Sequence, residues 1–243
     1  MVRIYEIMKI IFKNEIIDYS FSNNNKKYTI LFLHGWGGNK NSFCSIEKFL
    51  NFHFNLASIT MPTMQPTLLS WTLFDYCELV ENILLMHNVK EVVVICHSFG
   101  FRVACLLKNV LPIKKIIVTG GAGLKRISIL KKIENQNKII AIKNDPKLFY
   151  KFASNDYKNL TTANKKTFKN VVSQNLIKCC QFNCPMLLFW GKQDNETPLW
   201  IAKELQNKNK TKLVLTNSDH FAYLKQNNMF VYEVLKFLND LYS

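Results

Sequence analysis

A run of β-forming residues passes directly into a sharp turn and then into a helical pattern between residues 92 and 107. Val92-Val93-Val94-Ile95 is followed by Cys96-His97-Ser98-Phe99-Gly100, and the apolar residues after the turn have helical spacing. A serine at a tight strand-to-helix turn has its Oγ exposed at the sheet edge, with the helix N-terminus beneath it. Ser98 is therefore predicted to be a nucleophile.

Strand and helix patterns alternate on both sides of this turn. The predicted strands are 9–13, 15–21, 28–33, 54–59, 91–96, 115–119, 186–190 and 212–216. The predicted helices are 73–86, 99–109, 199–205 and 229–241. Residues 22–27 are polar and are predicted to be a hairpin loop. The alternation predicts an α/β protein, with a mostly parallel central sheet and helices on both faces.

The alternation lapses between residues 121 and about 175, where the pattern is lysine-rich and mostly helical. We interpret this segment as a small cap over the carboxyl ends of the strands, where such folds place their sites. A length of 243 residues suits a single domain, predicted over residues 1–243. Met8 is a candidate start of the native chain, so residues 1–7 are set apart as an extension.

A serine nucleophile needs a base, and the chain offers five histidines. His220 follows the last predicted strand, has Phe221 beside it, and is the preferred base. His97 adjoins Ser98 in the chain and is expected to point elsewhere from the turn. His34 precedes a glycine-rich loop and is expected to be a structural hydrogen-bonding residue. The remaining two are expected to be surface or packing residues: His53 and His87.

Asp194 is the preferred acid, because it ends a strand and tight turn at 189–194. It would accept the Nδ1 hydrogen of His220 and stabilise the imidazolium. The nucleophile, the acid and the base then follow one another in the order Ser, Asp, His. Glu196 and Asp219 are alternatives. Asp219 is adjacent to His220 in sequence, which makes an in-plane hydrogen bond between them awkward.

A developing oxyanion needs two backbone N–H donors. One is predicted at Phe99, directly after the nucleophile. The other is predicted in the glycine-rich loop after the third strand, where Trp36 is our choice. The indole of Trp36 is expected to form a wall of an apolar acyl pocket, with Phe99 and Phe101 nearby.

Composition excludes several classes of protein. The chain has 32 Lys and Arg against 17 Asp and Glu, a net charge of +15, but no nucleic-acid-binding pattern appears. Vicinal Cys179-Cys180 followed by Cys184 lacks the usual metal-ligand spacing and a nearby histidine, so no metal and no other cofactor is expected. No apolar run approaches the ~18 residues needed to span a bilayer, and no signal-peptide cleavage site is present. We expect a cytoplasmic protein.

Four segments of the sequence resemble the α/β-hydrolase superfamily, and the similarity covers nearly the whole chain. They are Leu31-Phe32-Leu33-His34-Gly35-Trp36-Gly37, Cys96-His97-Ser98-Phe99-Gly100, Phe189-Trp190-Gly191-Lys192-Gln193-Asp194 and Ser218-Asp219-His220-Phe221. The Gly-Trp-Gly loop resembles small carboxylesterases of the pimeloyl-carrier-protein methyl ester esterase type. Cys96 and Asp219 stand where the superfamily commonly has glycine.

The resemblance implies the α/β-hydrolase fold and cleavage of a carboxylic ester or thioester through an acyl-enzyme on Ser98. In that reading His220 is the general base and Asp194 the orienting acid. Two alternatives remain: other chemistry on the same triad, such as carbon–carbon bond hydrolysis, and a non-catalytic binding protein. Dehalogenase and epoxide-hydrolase chemistry is disfavoured, because those enzymes carry an aspartate nucleophile where Ser98 stands.

The positive charge is concentrated in the predicted cap. Between Lys125 and Lys178 there are 13 Lys and Arg against 3 acidic residues, so +10 of the net charge lies there. The segment is either a solvated helical face or a docking surface for an acidic partner. An acidic acyl-carrier protein presenting its acyl chain to Ser98 is the partner that we predict, besides a small-molecule ester substrate.

Overall fold

A computed structural model describes residues 6–125 and 155–242, which contain one eight-stranded sheet with helices on both faces. The strands run in the order β1-β2-β4-β3-β5-β6-β7-β8. Their bounds are β1 Glu6–Phe12, β2 Glu15–Ser22, β3 Thr29–Leu33, β4 Asn55–Ile59, β5 Val92–His97, β6 Ile113–Thr119, β7 Met186–Gly191 and β8 Thr211–Thr216.

The helices that the structure describes connect and cover these strands. They are α1 Cys44–Leu50, α2 Leu73–Met86, α3 Phe99–Leu107, α4 Asn155–Lys158, α5 Thr162–Ser173, α6 Trp200–Lys208, α7 Ala222–Lys225 and α8 Asn227–Leu238, followed by a 3₁₀ turn at Asn239–Leu241. The six neighbouring strands β4, β3, β5, β6, β7 and β8 are parallel to one another. At the edge of the sheet, β1 pairs with β2 and β2 pairs with β4 in antiparallel orientation.

The predicted hairpin loop at 22–27 is wrong, because β2 and β3 are not neighbours. β4 lies between them, and the loop crosses the start of β4. Asn24 anchors the crossing: its Nδ2 donates to Phe54 O at 2.8 Å and to Asn51 O at 2.7 Å. Strand order is set by such long-range contacts, which the local turn composition does not reveal.

The central strands are buried on both faces, which explains their continuous apolar runs. Every residue of β3, β4, β5 and β7 is buried. One apolar cluster packs α2 and α3 against the sheet, and a second packs α1 and α8 against the opposite face. Burial of this kind of surface contributes about 25 cal/mol per Å² and is the main stabilising term for the sheet.

Helix α1 was not predicted, because seven residues carry too little periodicity to identify a helix. Its buried Ile46 and Leu50 face the second cluster. The last helix begins at Asn227 rather than Met229, and its α-helical part ends at Leu238. The remaining predicted elements lie within a few residues of their observed bounds.

The predicted cap, about 121–175, lies largely outside the described residues, which omit 126–154. Its described part contains α4 and α5, and α5 is bonded to the segment between β4 and α2. Asn164 Nδ2 donates to Thr63 O at 2.7 Å, and Trp71 N–H donates to Thr167 Oγ1 at 2.8 Å.

Strand β1 includes Glu6 and Ile7, so it extends into residues 1–7, the segment that the sequence analysis treated as an extension. In the described part of the chain, no helix combines the length and apolar character that crossing a membrane requires.

Candidate active site

Ser98 lies between the last residue of β5 and the first residue of α3, with φ 47° and ψ −109°. A residue other than glycine rarely adopts such a conformation, which costs on the order of 1–3 kcal/mol. Backbone hydrogen bonds hold it in place. Ser98 N–H donates to Thr119 O at 3.1 Å, and Ala122 N–H donates to Ser98 O at 3.1 Å. The predicted sharp turn at Ser98 is confirmed. Hydrogen bonds to β6 and to the segment after it hold Ser98 in this strained backbone conformation.

Gly100 lets α3 begin directly against β3. A Cβ at this position would lie 2.1 Å from Leu33 O, far inside van der Waals contact. Cys96, which replaces a glycine of the resembled pattern, is fully buried, and its Sγ lies 3.5 Å from Ile117 O. The turn therefore requires glycine after the serine, while it accommodates a cysteine before it.

The predicted base and the predicted acid are in direct contact. His220 follows β8 and Asp194 follows β7, and His220 Nδ1 lies 2.9 Å from Asp194 Oδ2. Both side chains are buried. With the Nδ1 hydrogen donated to the carboxylate, the other ring nitrogen, Nε2, is left to accept a proton.

Thr197 completes the surroundings of Asp194 and was missed in the sequence. Its Oγ1 donates to Asp194 Oδ2 at 2.6 Å, and its N–H donates to Asp194 Oδ1 at 2.7 Å. Burial raises the pKa of Asp194, but the hydrogen bonds from His220 and Thr197 outweigh it and hold the pKa below its ordinary value. The carboxylate is therefore ionised. An aspartate three residues before a threonine in a turn was the available local signal.

The two alternative acids, Glu196 and Asp219, do not contact the Nδ1 atom of His220. Glu196 Oε2 is 3.7 Å from Nε2 of His220, the nitrogen opposite the one that Asp194 contacts. Asp219 faces solvent and pairs with Lys225 at 2.6 Å. Neither contacts Nδ1, so Asp194 alone among the three is positioned to orient the imidazole.

His97 differs in part from its expected position, because its ring lies beside the ring of His220 at a centroid distance of 4.7 Å. Its Nδ1 donates to Thr119 O at 3.0 Å. Burial, with a smaller contribution from His220, lowers the pKa of His97 to about 3. The ring is therefore neutral, and its low basicity disfavours it as a general base.

His34 has the predicted structural role. Its Nδ1 donates to Gly35 O at 2.7 Å, and its Nε2 accepts from Met61 N–H at 2.8 Å. Burial lowers the pKa of His34 to about 4. The two histidines expected at packing positions also have aromatic contacts: His53 stacks on Tyr242, and His87 stacks on Phe21.

The two residues predicted to supply the oxyanion donors lie together beside Ser98. The rings of Trp36 and Phe99 meet edge to face with centroids 5.6 Å apart. Phe99 is the first residue of α3, so its N–H has no acceptor within the helix. Within residues 6–125 and 155–242, the N–H of Trp36 also donates to no backbone or side-chain acceptor.

Ser98 and His220 line one open cavity of about 910 Å³. Its aromatic lining includes the predicted Trp36, Phe221 beside His220, and two residues that were not predicted, Phe168 and Tyr223. The polar side of the cavity is formed by residues of the loop after β3 and the start of α1: Asn39, Asn41, Ser42, Cys44 and Ser45.

The expectation that Phe101 lies near the site is wrong. Phe101 is fully buried, and its ring packs 6.1 Å from that of Phe182, on the core side of α3. Phe99 contributes to the site through its backbone position and through the contact of its ring with Trp36, because its own side chain is buried and does not line the cavity.

No hydrogen bond joins Ser98 Oγ to His220 Nε2 in the part of the chain that the structure describes. Hydrogen bonds between catalytic groups are often long without substrate and shorten when substrate binds. The arrangement places the hydroxyl and the imidazole in the same cavity at the carboxyl ends of β5 and β8.

Solved structures similar to this chain share its architecture over nearly its whole length. A hydrolase from Pseudomonas aeruginosa has a TM-score of 0.74 at 13% identity, covering 96% of this chain and 98% of its own. An esterase from Exiguobacterium antarcticum has a TM-score of 0.73 at 14% identity, covering 96% and 100%. The chain has the α/β-hydrolase fold.

A third α/β-hydrolase structure, a meta-cleavage product hydrolase from Pseudomonas fluorescens, has a TM-score of 0.67 at 14% identity and covers 96% of this chain and 97% of its own. No protein-family model and no curated protein sequence matches the chain. At these identities the similarity establishes the α/β-hydrolase fold, while the function must be argued from the residues of the site.

Proposed function

We propose that this protein is a serine hydrolase that cleaves carboxylic ester or thioester bonds through an acyl-enzyme on Ser98. The observation that carries the proposal is the buried 2.9 Å contact between His220 Nδ1 and Asp194 Oδ2. It leaves Nε2 of His220 free to accept a proton, and His220 lines the same cavity as Ser98. The names of several similar structures, an esterase among them, support it.

The mechanism follows from the order of proton transfers. Ser98 Oγ attacks the carbonyl carbon while its proton passes to His220 Nε2, and Asp194 stabilises the resulting imidazolium. The negative charge on the carbonyl oxygen is stabilised by N–H donors, for which Trp36 and Phe99 are the candidates. The bond from carbon to the leaving oxygen or sulfur then breaks, and Nε2–H protonates the leaving group.

Water completes the cycle. It attacks the acyl carbon of the ester on Ser98 and gives a proton to His220 Nε2, which returns it to Ser98 Oγ as the acid leaves. The mechanism uses only this chain's own residues and water.

Labelling with a fluorophosphonate probe, measured by intact mass, tests the proposal. We expect one adduct on the wild type and none on Ser98→Ala, since only an activated hydroxyl attacks the phosphorus. The mutant must show the same circular dichroism as the wild type. Absence of an adduct on the folded wild type would remove the proposal and favour a non-catalytic binding protein.

Carbon–carbon bond hydrolysis is the second candidate, favoured by the similarity to a meta-cleavage product hydrolase. The same serine and histidine would serve it, but the leaving group would be a carbanion that must be protonated. Parallel assays with p-nitrophenyl esters and a vinylogous 1,5-diketone distinguish the two. Cleavage of the diketone at a rate exceeding that of every ester would favour the second candidate.

An acidic acyl-carrier protein remains our proposed partner. Helix α5 carries Lys165, Lys166 and Lys169 without an acidic residue, and Phe168 of the same helix lines the cavity. A carrier docked there would present its acyl chain close to Ser98. Activity on a carrier-bound ester should then fall steeply with salt while activity on small esters does not. Equal responses to salt would exclude the docking.

A further inference from the structure

The carboxylate of Glu196 gives the cavity a negative charge beside the nitrogen that serves the leaving group. Glu196 Oε2 lies 3.7 Å from His220 Nε2, and both residues line the cavity. In the proposed hydrolysis Nε2–H donates its proton to the leaving oxygen. A leaving group must therefore sit next to Nε2, and so close to Glu196.

This charge is available to a ligand. The side chain of Glu196 is 70% exposed, and the described residues place no lysine or arginine within ion-pair distance of it. The other acid of the site, Asp194, is buried and engaged by His220 and Thr197. Although the chain carries a net charge of +15, no lysine or arginine is among the described residues that line the cavity.

Aromatic rings adjoin the same end of the cavity. The ring of Phe221 is 5.4 Å from that of His220, and Phe221 is 45% exposed. The ring of Tyr223 is 4.8 Å from that of His97, and all four residues line the cavity. A carboxylate beside an exposed aromatic ring, here that of Phe221, is a combination that attracts organic ammonium groups.

We propose that the leaving group of the preferred substrate is a cationic amino alcohol, with Glu196 as the residue that selects its charge. The inference rests on the proposed function, because it identifies the leaving group by its position beside Nε2. The acyl side is separate, so a carrier holding the far end of the acyl chain is compatible with it. In the step itself, the carbon–oxygen bond breaks, the acyl group stays on Ser98 Oγ, and the alcohol oxygen takes the proton from Nε2.

A pair of esters that differ only in charge tests the inference. A panel of p-nitrophenyl esters first identifies the acyl group that the protein cleaves fastest, and this acyl group is used in both esters. Its choline ester is then compared with its 3,3-dimethylbutyl ester, in which carbon replaces the charged nitrogen. We expect kcat/KM to favour the choline ester by about fivefold at low salt, as for two charges roughly 5 Å apart in mostly aqueous surroundings. The preference should shrink in 0.5 M NaCl, where the Debye length is only a few ångströms.

The variant Glu196→Gln separates the role of charge from that of shape. It should reduce the ratio of the two kcat/KM values to near one, whereas a merely structural role would change both values together. Asp219→Asn is the matched control: Asp219 adjoins His220 in sequence but pairs with Lys225, so the ratio should persist.

Three results would overturn the inference while leaving ester hydrolysis intact: equal rates, a preference for the neutral ester, or persistence of the choline preference in Glu196→Gln. No cleavage of the choline ester counts against it in the same way. Failure of every p-nitrophenyl ester, together with no fluorophosphonate adduct, would instead overturn the proposed function.

Discussion

Thr197 Oγ1 donates a 2.6 Å hydrogen bond to the same oxygen of Asp194, Oδ2, that contacts His220 Nδ1. The hydroxyl itself is 3.2 Å from Nδ1, so the three side chains form one buried group. A carboxylate that accepts hydrogen bonds at both oxygens stays charged and cannot rotate. Thr197 is thus a positioning residue, which acts on the imidazole through the carboxylate.

Thr197→Val should lower kcat/KM on a p-nitrophenyl ester by roughly 10- to 100-fold, since a lost hydrogen bond to a charged group is worth on the order of 1.5–3 kcal/mol. Removal of the hydroxyl also raises the pKa of Asp194, so the acidic limb of the pH–rate profile should move to higher pH. Steady-state kinetics from pH 4 to 9 measure both effects. Thr197→Ser keeps the hydroxyl and should restore the wild-type profile; a serine variant as impaired as the valine one would contradict this role.

Two buried neutral histidines should make the protein sensitive to acid. Burial lowers the pKa of His97 to about 3 and that of His34 to about 4, against about 6.5 in an unfolded chain. Between about pH 4 and 6.5 the unfolded state therefore binds more protons, so stability rises with pH. Each histidine contributes a slope of up to about 1.4 kcal/mol per pH unit in this window.

His97→Asn isolates one of these contributions. The amide of asparagine can donate to Thr119 O as Nδ1 of His97 does. Urea unfolding at pH 4.5, 5.5, 6.5 and 7.5 should show a shallower loss of stability below pH 6.5 than in the wild type, whatever the variant's stability at pH 7.5. Parallel curves for the two proteins would show that His97 does not titrate on unfolding.

Gly120→Ala should reduce the proposed ester hydrolysis more than it destabilises the fold. Gly120 has φ +53°, and a Cβ there would lie 2.9 Å from His220 Nδ1 and 3.3 Å from Asp194 Oδ2. The imidazole must move, and a displacement near 1 Å costs about 10²-fold in rate. Gly123→Ala is the control: its φ is +128°, but its nearest contact is Leu176. The kcat/KM on a p-nitrophenyl ester and the melting temperature of both variants test this prediction. Equal activities of the two variants would contradict it.

The local part of the site was predictable, and the non-local part was not. Ser98, Asp194 and His220 were identified because Ser98 directly follows a strand and the other two lie in the turns after strands, and parallel strands bring their carboxyl ends to one edge of a sheet. Phe168 reaches the cavity from α5, far away in the sequence, and no local pattern points to it. Phe101 was misplaced because it lies two positions after Phe99, which puts it on a different face of α3.

Strand order shows the same division. Strands β1 and β2 were predicted from their own local patterns, whereas the insertion of β4 between β2 and β3 depends on contacts between distant residues such as Asn24 and Phe54. The alternation of strands and helices was enough to predict the α/β class, because each buried strand carries its own apolar run.

Arg102→Met should weaken the attachment of α5 to α3. Arg102 lies on α3 and is buried, and its Nη1 donates to Val171 O at 3.0 Å and to Gln174 O at 3.3 Å, at the carboxyl end of α5. Burial lowers the pKa of Arg102 to about 10, which leaves the guanidinium charged at neutral pH beside the negative end of the helix.

Loss of these bonds leaves one buried and one partly buried carbonyl without the guanidinium donor, so the variant should lose on the order of 1–3 kcal/mol of unfolding free energy. Lys125→Met is the matched control, since the exposed Lys125 donates to Ser173 O at the same helix end and should matter by less than about 0.5 kcal/mol. Urea unfolding of both variants at pH 7 measures the difference. Equal losses would mean that burial of Arg102 does not determine how firmly α5, and with it Phe168, is held at the cavity.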